Sequence, residues 1–375
     1  MDIAQHIADR SLTVSDVARR ANLPVSRVSE IVSGDEASLS EIRKISKAIR
    51  VPLSSIGRPE STEDQSTSKL LLRQTIDQRA RGMSSSLSII GDQLNDILSV
   101  ARLLPSNLNW LELFRGLAPD LENAENFAAI FRRAFAQLDD QVPFLSLATT
   151  LEELGVFVCY GRDPKVEGVS AIVEGHALIL LAPRTFKARM LFTLAHEVGH
   201  LVARHDLLKI DFARLDEEVG GDRETAGSAE HRNEERFADA FAASLLMPRK
   251  GFLKVLDAVR THYRAKGPLG DVEILTAAIF FGVSFEVAAR RCEGMGLLEP
   301  GGARALYQKI SDEHGNPEKR ARELGLRERE EIQILTSPRL LQAAAKLVDR
   351  EELSAGKAAE LLNVPISYLF AANSK

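Results

Sequence analysis

Residues 190–203 read MLFTLAHEVGHLVA, and this stretch decides the fold of the surrounding chain. It holds no proline, and its leucines recur at helical spacing, so it predicts a helix. On a helix, residues four apart project from one face about one turn above each other. His196 and His200 therefore aim two imidazoles at one point, close enough for both to meet a zinc ion at about 2.0–2.1 Å. Glu197 stands beside that point, placed to take a proton from an attacking water rather than to ligate. Gly199 leaves room behind the ligands for another element to pack closely.

A three-ligand site with one open position needs a further donor, commonly a carboxylate. Residues 233–248, NEERFADAFAASLLMP, predict a second helix that stops at Pro248. Glu235 near its start would supply the third ligand. Asp239, one turn on, can accept the free N–H of a ligand imidazole. The plain alternative is a solvated acidic stretch at a helix start, where carboxylates also favour the dipole; Glu234 fits that description. His205 falls out of register for a third histidine ligand, because the HExxHxxGxxH spacing reaches Asp206 and its glycine is Ala203. His231 sits in a polar, glycine-containing insertion over 206–233, expected to be mobile. His262 and Tyr263 could offer a donor to an oxyanion, but nothing in the sequence requires it.

Upstream, Ser170–Val173 and Ala177–Leu181 read as two strands joined by a turn at Glu174-Gly175-His176. Residues 123–138 and 149–154 predict amphipathic helices. Over 69–104, apolar side chains alternate in steps of four and three: Ile76, Ala80, Met83, Leu87, Ile90, Leu94, Ile97, Ala101 and Leu104. This is a heptad seam of roughly four repeats. It suits either a dimerising coiled coil or a helix docked on its own chain, and Gly82, Gly91 and Ser84-Ser85-Ser86 weaken it.

At the other end, TVSDVARRANLPVSRVSEIVSG (13–34) has the length and pattern of a helix-turn-helix. Val17 and Ala18 face its core from the first helix, and Val28 and Ile31 from the second. Asn22 occupies the turn, being one of the few non-glycine residues that accept left-handed backbone. In such a motif the second helix enters the major groove. Ser26, Arg27, Ser29, Glu30 and Ser33 would then face DNA, with Arg27 as the guanine-reading candidate. Arg19, Arg20, Arg43 and Lys44 would face phosphates. A small helical protein-binding module is the competing reading. LSEIRKISKAIRVPLSSI (39–56) follows as an amphipathic helix and terminator.

The bulk figures agree with a folded globular chain: 375 residues, 45% hydrophobic, 27% charged, net charge −5. That balance excludes a generally basic nucleic-acid-coating protein but leaves room for a local DNA-reading surface. Two cysteines, Cys159 and Cys292, stand far apart, so reduced thiols are expected rather than a disulfide framework or a cysteine zinc cage. No signal-like apolar core and no membrane-length apolar run occurs, and a cytoplasmic protein without membrane contact is expected.

FTLAHEVGHLVARH followed by NEERFADAFAASLLMP resembles the ImmA/IrrE family of zinc metallopeptidases. LATTLEELGVFV (147–158) resembles that family's entry segment, and VEILTAAIFFGVSFEVAARRCEGMGLL (272–298) its helix-turn-helix-shaped tail. The resemblance implies Zn2+ held by His196, His200 and Glu235, with Glu197 as acid/base. Residues 9–56 resemble the Cro/CI-type (XRE) DNA-binding family, departing from it at Asn22 and Val32.

The expected architecture is mainly α with a small β-sheet (α+β). It comprises a helix-turn-helix domain (1–57), a polar linker (58–68, RPESTEDQSTS), a long helix (69–118) that could dimerise, a zincin-like peptidase domain (119–300) and a helical C-terminal region (301–375). Residues 352–371, ELSAGKAAELLNVPISYLFA, look helix-turn-helix-like again but lack basic contacts, which suits packing better than DNA reading. The resemblances imply a regulator that binds operator DNA and cleaves a regulatory protein such as a repressor; the only slightly positive charge of the head suggests that it binds as a homodimer. The alternative is a transcription factor whose zinc domain senses a ligand or partner without proteolysis.

Overall fold

The computed structural model describes Ile3, Ile7 and residues 12–33, 35, 37–49, 84–204, 210–212 and 229–372. The linker at 58–68, the seam residues Ile76, Ala80 and Met83, His205 and most of the 206–233 insertion lie outside these. The chain divides into two compact units, Met1–Ala80 and Arg81–Lys375.

In the first unit, α1 (Val14–Ala21), α2 (Val25–Val32) and α3 (Leu39–Ile49) close around Val17, Ala18, Val28, Ile31, Ile45 and Ile49. Thr13 caps α1 reciprocally with Asp16: its hydroxyl accepts from the Asp16 N–H at 3.1 Å, and the Asp16 carboxylate accepts from the Thr13 N–H at 3.2 Å. Asn22 ends α1 in the left-handed region, at φ 52°. This turns the chain sharply into α2, as the sequence predicts.

The second unit is built around one sheet. β1 (Val156–Tyr160), β2 (Val166–Val173), β3 (His176–Leu181) and β4 (Ile210–Phe212) lie in the order β1-β3-β2-β4. β1 and β3 are parallel, while β2 runs antiparallel to both β3 and β4. The β2–β3 connection is a two-residue hairpin, with Glu174 at φ 50° and Gly175 at φ 78°. Positive φ at both positions matches the twist of the flanking strands. β1 and β4 add strands beyond the two expected from sequence, and β2 starts four residues earlier than its apolar run suggests.

Both faces of the sheet are covered, which is why its strands read as apolar runs rather than as alternation. Val156, Val158, Ala177, Ile179 and Leu181 point to one face. There they meet α7 (Lys187–Ala203), preceded in sequence by α4 (Ser84–Ala101), α5 (Ala124–Phe131) and α6 (Leu147–Glu153). The same core takes in α8 (Ala229–Leu246), α9 (Arg249–Tyr263), α10 (Asp271–Phe281) and α11 (Phe285–Gly294), followed by α12 (Gly302–His314) and α13 (Pro317–Glu323). Arg132, itself buried, donates to the carbonyl of Leu245 at 2.9 Å, satisfying an orphan acceptor at the end of α8.

Phe157, Cys159, Val169, Ala171, Leu178 and Leu180 point to the other face. They are covered by α4 and by α14 (Pro338–Asp349), α15 (Ala355–Leu362) and α16 (Ile366–Ala372). The seam residues Ile90, Leu94, Ile97 and Ala101 are all buried in this layer. These four seam residues therefore face the chain's own sheet; the side chain of Leu87 lies outside the described residues. The C-terminal helix pair turns at Asn363, φ 52°, repeating the geometry of Asn22 while serving to pack. Asn363 donates to the carbonyls of Tyr160 and Gly161 at 3.1 and 3.3 Å, tying that turn to the end of β1. Among the described residues no single helix is long and apolar enough to cross a membrane.

Candidate metal centre and nucleic-acid interface

α7 and α8 lie against each other because small residues meet at their crossing. A β-carbon on Gly199 would stand 3.0 Å from the Ala238 Cα and 3.2 Å from Phe241 Cδ1. Any larger side chain there would push the two helices apart. The close approach brings Glu235 of α8 over the two histidines of α7.

The His196 and His200 Nε2 atoms are 3.0 Å apart. Glu235 reaches His196 Nε2 with one oxygen at 3.3 Å and His200 Nε2 with the other at 3.5 Å. One donor atom from each of the three residues lies within 4.8 Å of the others. Both imidazoles are buried, and Glu235 is partly exposed. On the far side of the His196 ring, Nδ1 lies 2.9 Å from Asp239 Oδ1. With Nδ1–H donated to that carboxylate, the Nε2 lone pair is directed into the group.

Two imidazole nitrogens and a carboxylate oxygen converging on one point, one ring held from behind, is a donor set of the kind zinc takes. Burial opposes a proton on His196. Asp239 and Glu235 outweigh it by accepting from the ring, so the pKa stands well above the ordinary imidazole value. The carboxylates of Glu235 and Asp239 thus make this a spot of negative charge.

Glu197 is buried, its carboxylate lying against the β2 backbone at Gly168 and close enough to His196 for its charge to favour the protonated ring. α7 ends at Ala203, with Arg204 left-handed at φ 53°; His205 lies outside the described residues. The side chain of His231 is outside the described residues. His262 and Tyr263 are exposed at the end of α9 and stack edge to face on each other, centroids 4.9 Å apart. Sequence reasoning overlooked Gly168, which lies directly against Glu197. The signal was available, since a glycine inside a strand pattern marks a close backbone approach.

In the first unit Ser26, Ser29, Glu30 and Ser33 are exposed along α2, and Arg27 is half-buried. The Arg27 Nε donates to Glu41 of α3 at 2.8 Å, and its Nη1 to Glu30 at 3.2 Å. Arg27 thus braces α2 on α3, and a guanine contact would have to exchange that pair for the base. The Ser33 hydroxyl donates to the Ser29 carbonyl at 2.9 Å. Arg19, Arg20, Arg43 and Lys44 are exposed, Arg19 pairing with Asp16 at 2.8 Å.

Among known families, the IrrE N-terminal-like domain, a peptidase family, matches residues 151–293. A helix-turn-helix family matches residues 5–56. No curated protein matches the chain. The chain thus joins a helix-turn-helix DNA-binding segment to a protease-like domain of the metallopeptidase kind.

Proposed function

We propose that this DNA-binding regulator is a zinc-dependent endopeptidase, with His196, His200 and Glu235 holding the ion and Glu197 serving as acid/base. The observation that carries the reading is the convergence of the two imidazoles and Glu235, with a buried carboxylate beside them. A zinc ion bound there would acidify water and polarise a scissile carbonyl. The chain's residues do the rest. Asp239 keeps the His196 ring oriented by accepting from Nδ1. Glu197 takes a proton from the attacking water as its oxygen bonds to the carbonyl carbon. It then delivers that proton to the amide nitrogen as the C–N bond breaks. Its buried setting keeps bulk water from competing for that proton.

The substrate we propose is a regulatory protein such as a transcriptional repressor, because a helix-turn-helix on the same chain ties the hydrolase to gene control. Ser26, Arg27, Ser29, Glu30 and Ser33 are the proposed operator-facing residues.

The test is incubation of zinc-loaded chain with the repressor encoded beside it, followed by mass spectrometry of the products. The wild type cuts at a defined bond. Glu197→Gln keeps its zinc while cleavage falls by about 10²–10⁴-fold, the usual share of general acid–base catalysis. Cleavage by Glu197→Gln at the wild-type rate would remove Glu197 from the mechanism. Zinc bound without cleavage by either protein would favour a sensing role.

A further inference from the structure

β2 does not simply pass beside the proposed acid/base; its backbone forms the surface on which that side chain rests. A β-carbon added to Gly168 would stand 2.5 Å from Glu197 Oε1, 3.0 Å from Glu197 Cγ and 2.8 Å from Thr193 Cγ2. Real β-carbons essentially never come as close as the 2.5 and 2.8 Å contacts. Two of these three atoms belong to Glu197, and Thr193 is one turn before it on α7, so Gly168 is inserted between consecutive turns of the metal helix. Relaxation is restricted on that side. Glu197 and Thr193 are both buried, and the Thr193 hydroxyl is held by the Arg189 carbonyl at 3.1 Å.

The strand is irregular at this place. Against β4, Val166 pairs with Phe212 and Gly168 with Asp211, so Glu167 is an extra residue in β2. Such a bulge re-aims the backbone locally. Glu167 is buried yet charged, and it is fastened. Its Oε1 accepts from Arg184 Nη2 at 2.6 Å and from Arg189 Nη2 at 3.0 Å. Its carbonyl accepts from the Ala182 N–H at 2.9 Å. Arg189 lies on α7, so the bulge is anchored to the same helix that carries Glu197.

We infer that the Glu167–Gly168 bulge is the positioning element for Glu197: Gly168 supplies the flat surface that sets where the carboxylate stands, and Glu167 holds that surface on α7 through Arg184 and Arg189. This rests on the proposal that Glu197 faces the open side of the metal site. A displacement of about 1 Å at a reacting group can cost on the order of 10²-fold in rate, which makes such a rest consequential.

The test avoids the need for an identified substrate. Acetohydroxamic acid binds a zinc ion through two oxygens, and its hydroxyl proton goes to a carboxylate standing beside the ion. Its affinity for zinc-loaded full-length chain, measured by calorimetry, therefore reports the placement of Glu197. Gly168→Ala is expected to keep one zinc per chain and to weaken acetohydroxamate at least tenfold. In Glu197→Gln the affinity falls as well, and Gly168→Ala added to it costs less than threefold more, because the two changes remove one interaction.

Wild-type affinity in zinc-loaded Gly168→Ala, or full additivity of the two changes, overturns the inference. Wild-type affinity in Glu197→Gln instead overturns the reading of Glu197 itself. Should Gly168→Ala not fold, Glu167→Leu keeps a similar volume and removes the oxygen that accepts from both arginines. It is expected to weaken acetohydroxamate about threefold or more with zinc retained, and an unchanged affinity there overturns the anchoring role.

Discussion

Asp239 shows how much of the site depends on a residue that need not touch the metal. In the proposed metal site its carboxylate, 2.9 Å from His196 Nδ1, would fix which ring nitrogen keeps its lone pair for the ion. Removing it frees the ring to rotate and to take the other tautomer. Asp239→Ala is expected to lower zinc affinity about 10–100-fold, measured by competition with a chromophoric chelator. An affinity within twofold of wild type would mean that the Nδ1 contact contributes nothing. At this scale the sequence was most legible where spacing alone determines geometry. The i, i+4 steps put His196 with His200 on α7 and Glu235 with Asp239 on α8; the close crossing at Gly199 and Ala238 is what brings the two pairs together. Gly168 does not follow from spacing, because its role depends on which helix a strand passes over. Arg27 is a second such case, since its partner Glu41 is 14 residues away on another helix.

Elements were legible when a local rule specified them. The left-handed Asn22 and the Glu174-Gly175 turn both follow from local chemistry within four residues. β1 was hidden because a five-residue apolar run, Val156–Tyr160, has no periodicity when both its faces are buried. The seam over 84–101 was read correctly as a helix with an apolar stripe, but the stripe carries no information about whether its partner is a second copy or the chain's own sheet.

One prediction belongs to the contact between α2 and α3. Hydrogen bonds from Arg27, and then from Ser38, hold the Glu41 carboxyl down to about 2, against 4.5 when free. A carboxylate with a depressed folded-state pKa stabilises above its unfolded value, and that contribution is lost as the pH falls from 4.5 through 2. Amide exchange over residues 14–49 of the full chain should therefore be slower in the wild type than in Glu41→Gln at pH 7. The difference should shrink toward pH 3. A constant difference across that range would show that the ion pair adds no pH-dependent stability.

For the whole molecule, the informative feature is how one small sheet is shared. One face carries the metal-helix core, and the other is closed by α4 and by the C-terminal helices α14–α16. The C-terminal region thus completes the same compact unit as the protease-like domain, while the helix-turn-helix forms a unit by itself. The sequence suggested a separate region after residue 300, because its composition does not record which surface it covers. Within the large unit the metal would cross-link α7 and α8, the two helices that also form the centre of the core.

The most direct measurement is therefore zinc content together with thermal stability of the full chain, before and after chelation, for the wild type, His200→Ala and Glu235→Ala. The account predicts one zinc per wild-type chain. Zinc at about 100 times its Kd should stabilise the large unit by about 2.7 kcal/mol. Both the zinc and that stabilisation should be lost in the two variants. A wild-type chain that takes up no zinc, or a His200→Ala or Glu235→Ala chain that holds it as tightly as wild type, would contradict the assignment of this centre.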